Sequence, residues 1–171
     1  MTKVLFVCTA NVCRSPLAEG YLNALVQKKG LSGINAVSAG IAAFSGGPAF
    51  ECAVDVARQH LFDLSRHRAQ QLTPELGNSV DRILCMETWQ ARVVMEMDPG
   101  FSGKVSLLGR YHPDANALLQ IPDPRDFNVP ETLRVFEIIQ SSVNGLVESL
   151  YSNSSDSPQQ EFAPSRRERK K

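Results

Sequence analysis

Cys8 and Arg14 stand six positions apart in the run Cys8-Thr9-Ala10-Asn11-Val12-Cys13-Arg14-Ser15-Pro16. A thiol held at a helix N-terminus beside a guanidinium is favoured as thiolate, which is the nucleophilic form. The planar fork of Arg14 matches two phosphoryl oxygens, which the point charge of a lysine does not. The pair therefore reads as a nucleophile inside an anion cradle. A bare Cys-x5-Arg is a weak signal, and taken alone it reads more readily as a buried strand cysteine and a surface arginine. The flanking sequence strengthens it. Val4-Leu5-Phe6-Val7 is an unbroken β-branched and aromatic run that suits a strand buried on both faces. Ser15 suits a helix cap, and Pro16 suits the first helical position. A tight turn from strand to helix gathers free N–H groups at one point, and the helix dipole adds partial positive charge there.

Composition sets the bounds. The 171 residues are 43% hydrophobic and 21% charged, with a formal net charge of zero. One soluble domain with a proper core is expected, and no global field draws the chain to nucleic acid or membrane. No apolar run reaches the length of a membrane span. Lys3 followed by Val4–Val7 is too short for a signal peptide and has no small-residue cleavage site after it, so an unprocessed, cytoplasmic chain is expected. Cys8, Cys13, Cys52 and Cys85 form no Cys-x-x-Cys pair, which argues against a zinc site or a secreted disulfide framework. No cofactor or metal is implied.

The elements that must position Cys8 and Arg14 alternate along the chain. Residues 16–29 carry a helical stripe with Gly30 as its stop. Ile34–Ser38 reads as a second strand, 41–48 as a glycine-containing loop, and 49–60 as a helix burying Ala49, Cys52, Ala53, Val56 and Ala57. Leu72–Glu75 reads as a turn and short helix. Val80–Met86 is a third strand, and Glu87–Met97 a helix with Trp89, Val93, Val94 and Met97 on one side. Lys104–Leu108 is the fourth strand. An irregular stretch, 109–129, precedes a long amphipathic helix opened by Asn128 and Glu131 in a capping-box-like start. Strands alternating with helices predict an α/β fold: one four-stranded parallel doubly wound sheet with helices on both faces. Ligands bind beyond the carboxyl ends of such strands, where Cys8, Ser38 and the 109–129 stretch all emerge. A catalytic domain over 1–150 and a disordered tail over 151–171 are expected, since the tail is polar and ends in the basic cluster Arg166–Lys171. Such a tail suits an acidic partner, nucleic acid or anionic lipid, with solvated disorder as the plainer reading.

The run from Cys8 to Pro16, with Ser38-Ala39-Gly40, His67-Arg68-Ala69 and Asp123-Pro124, resembles the low-molecular-weight protein tyrosine phosphatases. The resemblance covers about residues 3–150 and implies the same four-stranded fold. Ala10 stands where the family usually has glycine, which is compatible only with a backbone that avoids positive φ there. The resemblance implies hydrolysis of a phosphomonoester on a phosphorylated protein through a cysteinyl-phosphate. Cys8 is then the nucleophile, Arg14 and the amides of residues 9–13 (Thr9 to Cys13) bind phosphate, and Asp123 is general acid and then base. Asp114 and Asp126 lie in the same stretch, and spacing alone leaves them as competitors. The resemblance further implies that Asn11, Ser15, Ser38 and His67 brace the loop, with Ser15 donating to the thiolate. It also suggests a reversible Cys8–Cys13 disulfide that shields Cys8 from over-oxidation.

The family frames its pocket with two aromatics. Phe44 is expected to supply the first; Arg125 stands where the second is expected, and could stack on a substrate ring or bind an acidic neighbour of the phosphoresidue. Members acting on phosphoarginine carry a threonine where this chain has apolar Val12, so phosphotyrosine is the leading substrate and phosphoarginine the alternative. Arsenate reduction on the same fold is a further alternative, but it needs a relay thiol pair, and only Cys52 and Cys85 remain for it. A non-catalytic anion-binding module is opposed by Cys8, Arg14 and Asp123 occurring together.

Overall fold

A computed structural model of the chain describes residues 1–152. The expected tail lies, from residue 153 onward, outside the described residues. Four strands, β1 (Thr2–Cys8), β2 (Ile34–Gly40), β3 (Arg82–Cys85) and β4 (Val105–Leu107), form one parallel sheet in the order β2-β1-β3-β4. The helices are α1 (Arg14–Lys28), α2 (Glu51–Gln59), α3 (Pro74–Asn78), α4 (Thr88–Met97), α5 (Ala115–Leu118) and α6 (Val129–Ser152). No helix among the described residues is long and apolar enough to cross a membrane.

β1 is central, so both of its faces are covered. Val4, Leu5, Phe6 and Val7 have no solvent exposure, each contributing ~1.5–3 kcal/mol by burial. Val4, Phe6 and Cys8 face a core shared with α1, α2 and α6, where Leu17, Val56, Phe136 and Leu146 pack. Leu5 and Val7 face the opposite layer, with Ile83, Cys85, Val94 and Phe101. The two-residue period of the strand thus divides the sequence between two cores.

Several element boundaries differ from the sequence expectation for local reasons. α1 starts at Arg14 with Cys13 at its N-cap and no side-chain cap, so Ser15 lies inside the helix and its hydroxyl is free for another partner. α4 opens with a reciprocal cap between Glu87 and Gln90. That cap sets the helix phase, burying Gln90, Ala91 and Val94 and leaving Trp89 and Val93 exposed. Within the stretch expected to be irregular, a 3-10 turn at Leu108–Tyr111 and the short α5 form. A Cβ at Gly109 would strike the carbonyls of Leu118 and Leu119, so that stretch folds back tightly on itself. Asn128 caps α6 as expected, its Oδ1 accepting from Glu131 N–H at 2.9 Å.

Candidate active site

At the carboxyl edge of the sheet Cys8 pairs with Gly40, and Val7 with Cys85, so the loops after β1, β2 and β3 converge. The loop after β1 is held from two sides. Ile41 and Ala42 donate backbone N–H groups to the carbonyls of Cys8 and Thr9 at 3.1 and 2.9 Å, and Phe50 N–H donates to Val12 at 2.8 Å. Gly40 lies directly beneath: a Cβ there would stand 2.6 Å from the Thr9 carbonyl oxygen and 2.9 Å from Asn11 N.

Asn11 carries the loop's strain and most of its bracing. Positive φ falls on Asn11 (57°), not on Ala10, so the methyl at position 10 is accommodated. Asparagine is one of the residues that tolerates this region. The Asn11 amide donates to Ser15 Oγ at 2.9 Å and to Ser38 Oγ at 2.8 Å. Its Oδ1 accepts from Gln70 N–H at 2.9 Å, and its carbonyl lies 2.8 Å from His67 Nε2. Ser38 in turn donates to Glu19 Oε2 at 2.6 Å; burial raises the Glu19 carboxyl above its usual range, against the Ser38 hydrogen bonds and His67. Ser15 Oγ accepts from Asn11 and lies 3.0 Å from Cys8 Sγ and 3.4 Å from the Ala39 carbonyl, so its one proton goes to the sulfur, the nearer of the two, when Cys8 is a thiolate.

Arg14 is 1% exposed and fixed by three groups from two segments, Glu87 after β3 and the Ile121–Asp123 stretch. Nη1 donates to Glu87 Oε2 at 2.7 Å and to the Ile121 carbonyl at 2.9 Å; Nη2 meets Asp123 Oδ2 at 2.6 Å. Nε is buried and bonds to no protein atom. Ile121 is itself anchored, its N–H donating to Met86 at 2.9 Å. The fully buried Gln90 completes this side: Oε1 accepts from Met86 and Glu87 N–H, and Nε2 donates to Thr9 Oγ1 at 3.2 Å. The half-exposed carboxyl of Asp123 is pushed above the ordinary aspartate range. Burial is the main cause and the Glu87 charge adds to it, while Arg14 pulls the other way.

Cys8, Thr9, Ala10, Val12, Cys13, Arg14 and Asp123 line one cleft of about 180 Å³, walled by Phe50 and Phe127. The two rings meet edge to face with centroids 5.1 Å apart. The pocket residues expected from the sequence are therefore corrected. Phe44 is 86% exposed and does not line the cleft. Its loop is tied to the neighbouring segment by Gly46 N–H to Ala69 and closes a tight turn by Gly47 N–H to Phe44, which leaves the ring at the loop tip. Phe50 takes that wall because its N–H anchors to Val12. Arg125 is exposed and also absent from the lining. The second ring comes from Phe127, two residues later, with its backbone at φ 45°, a costly conformation for a bulky residue. Asp114 stands at the N-terminal boundary of α5 without a side-chain cap, and Asp126 is exposed; neither lines the cleft.

The structure thus brings together Cys8, Thr9, Ala10, Val12, Cys13, Arg14 and Asp123 around one opening, with Asn11, Ser15, Ser38 and His67 beneath or beside it. Glu19, Gln70, Glu87 and Gln90 were not singled out from the sequence. A carboxylate directly after a strand, at the edge where Cys8 also emerges, is the signal by which Glu87 was findable. All four cysteines are unbridged and buried. Burial raises the Cys13 thiol well above the usual thiol range, with smaller contributions from Cys52 and Cys8. Burial pushes Cys85 up to about 12.

Comparison with known proteins agrees with this geometry. The family model described as low molecular weight phosphotyrosine protein phosphatase matches residues 3–156. The probable low molecular weight protein-tyrosine-phosphatase EpsP of Ralstonia nicotianae is 37% identical over 144 residues, which is 84% of this chain and 92% of that protein. The crystal structure of the Erwinia amylovora tyrosine phosphatase AmsI superposes with a TM-score of 0.77 at 31% identity, over 86% of this chain and 92% of that one. The YwlE arginine phosphatase from Geobacillus stearothermophilus superposes with a TM-score of 0.82 at 25% identity, over 93% and 99%. Matched by that family model over residues 3–156, and similar to these relatives over most of both chains, the chain belongs to the low molecular weight phosphotyrosine protein phosphatase family.

Proposed function

We propose that this chain is a cytoplasmic protein-tyrosine phosphatase that works through a cysteinyl-phosphate on Cys8. One observation carries the reading: Cys8, Arg14 and Asp123 line a single cleft whose walls are two phenylalanine rings. In the first step the Cys8 thiolate attacks phosphorus, an S–P bond forms, and the P–O bond to the aryl group breaks. Arg14 and the N–H groups of residues 9–13 hold the equatorial oxygens. Asp123, its carboxyl pushed above the ordinary aspartate range chiefly by burial, is the group that gives a proton to the leaving oxygen. Ser15 donates to the sulfur at 3.0 Å, which stabilises the thiolate both as nucleophile and as leaving group. In the second step the Asp123 carboxylate takes a proton from water, water attacks phosphorus, the S–P bond breaks, and inorganic phosphate leaves.

The ring walls and the apolar Val12 suit the flat face of a phosphorylated tyrosine. The arginine-phosphatase reading keeps one support, the similarity to the Geobacillus enzyme. Hydrolysis of phosphotyrosine, phosphoarginine and phosphoserine peptides, measured side by side without metal, decides the matter. Turnover of phosphotyrosine that Cys8→Ser abolishes supports the proposal. A preference for phosphoarginine overturns the substrate assignment, and activity that survives Cys8→Ser overturns the mechanism.

A further inference from the structure

Helix α2 ends in a turn whose residue choice is physically unfavourable. After the C-cap His60, Phe62 N–H returns to the Ala57 carbonyl and Leu61 N–H to that of Arg58, each near 3.1–3.2 Å, the Schellman pattern. Leu61 is therefore at the left-handed position with φ 64°, where glycine or asparagine is the unstrained choice. Its side chain is also 87% exposed, so no burial offsets the strain. A single exposed apolar side chain is ordinary, but one kept at a strained backbone position between two hollows points to contact with another surface.

The surroundings say which surface. Leu61 is a shared wall of two cavities on the exposed side of α1. One, about 510 Å³, contains Gly20, Phe62 and Leu64 with the carboxylates Glu19 and Asp63. The other, about 560 Å³, contains Tyr21, Leu25 and His60 with the cation Lys28. Of the nearby arginines, Arg58 is engaged by Asp55 at 2.8 Å, and the exposed Arg66 lines neither cavity. A knob with a hole on each side, one acidic and one basic, is complementary to itself. Under a two-fold axis beside Leu61, what lies on one side of the axis meets what lies on the other side in the partner. The leucine of each copy then enters a hollow of the other, and the Asp63 side faces the Lys28 side.

We propose that this face, centred on Leu61 between α1 and the end of α2, is an isologous dimer interface between two copies of this chain. It shares no lining residue with the Cys8 cleft, although Glu19 and His67, which help brace the anion loop, line its acidic hollow.

Sedimentation and light scattering across a concentration series test it, with three kinds of variant. Leu61→Gly removes the knob while relaxing the turn. It is expected to weaken dimerisation roughly tenfold or more, to raise the melting temperature measured at a dilution where both proteins are monomeric, and to leave turnover of a small aryl phosphate unchanged. Asp63→Lys and Lys28→Glu should each weaken the dimer, and the double variant should recover it. A wild-type chain that stays monomeric up to roughly 100 µM, or a Leu61→Gly variant that dimerises as well as wild type, overturns the proposal. In the monomeric case the face would be left to a different protein. Charge reversals that fail to rescue one another overturn the two-fold arrangement.

Discussion

Replacing Gly40 by alanine tests how closely the anion loop depends on the strand beside it. The added methyl would lie 2.6 Å from the Thr9 carbonyl oxygen, and 2.9 Å from both the Ala10 carbonyl carbon and Asn11 N. Ordinary contact for a Cβ begins near 3.4 Å, so the closest pair is about 0.8 Å too near. All three atoms are backbone, so no flexible side-chain end can yield. Leu72 N–H also bonds to the Gly40 carbonyl at 2.8 Å, and Gly40 N–H to Gln70 at 2.9 Å, so Gly40 is held in place and the loop must move. A misplacement near 1 Å of a positioned group costs about 100-fold in rate, equivalent to ~2.7 kcal/mol of transition-state stabilisation. The expected result is a 30- to 100-fold loss (order of magnitude) in kcat/KM toward an aryl phosphate, with weaker inhibition by inorganic phosphate. Gly103→Ala is the control, because a methyl there meets no atom within 4 Å. A Gly40→Ala enzyme that melts like wild type and keeps kcat/KM within about twofold would show that the loop does not rely on this contact.

Asp123→Asn should slow esters with poor leaving groups by about 10²–10⁴-fold and activated aryl esters much less; an equal loss on both removes Asp123 as the acid. The pH profile carries the same information with a definite sign. The acid acts only when protonated, so the rate falls as pH rises through its elevated pKa, and Asp123→Asn should flatten that limb. Because the Glu87 charge raises the Asp123 pKa, Glu87→Gln should move the limb toward lower pH; a shift toward higher pH contradicts the pairing. Phe127→Ala should raise KM for phosphotyrosine peptides several-fold (about 1–2 kcal/mol of ring contact) while leaving inhibition by inorganic phosphate unchanged, and equal effects on both would place the ring outside the substrate wall.

The four-stranded parallel sheet and the strand–turn–helix around Cys8 were legible because they rest on local signals: an unbroken apolar strand, a proline near the helix start and glycine at the ends; the order β2-β1-β3-β4 has no such local signal. Glu87 and Gln90 were not. Their roles depend on β3 lying beside β1, which brings a helix cap from residue 87 against an arginine at residue 14. The pocket walls failed for a related reason. Phe44 and Arg125 were placed by counting along the chain from two short motifs, whereas the ring positions are set by a hydrogen bond from Phe50 to Val12 and by an unusual backbone turn at Phe127. Trp89, Val93, Val94 and Met97 share one apolar side of α4 in the sequence, but that stripe alone does not show where the reciprocal cap fixes the helix's rotation, which buries Val94 and leaves Trp89 and Val93 exposed.

Ile121 is gripped from opposite sides, by Met86 through its N–H and by Arg14 through its carbonyl, two residues before Asp123. The guanidinium that would neutralise the transferring group therefore also sets the stance of the segment that protonates the departing one. Exchanging this arginine for any other cation penalises the reaction at both ends, since the proton donor drifts as the oxyanion loses its fork.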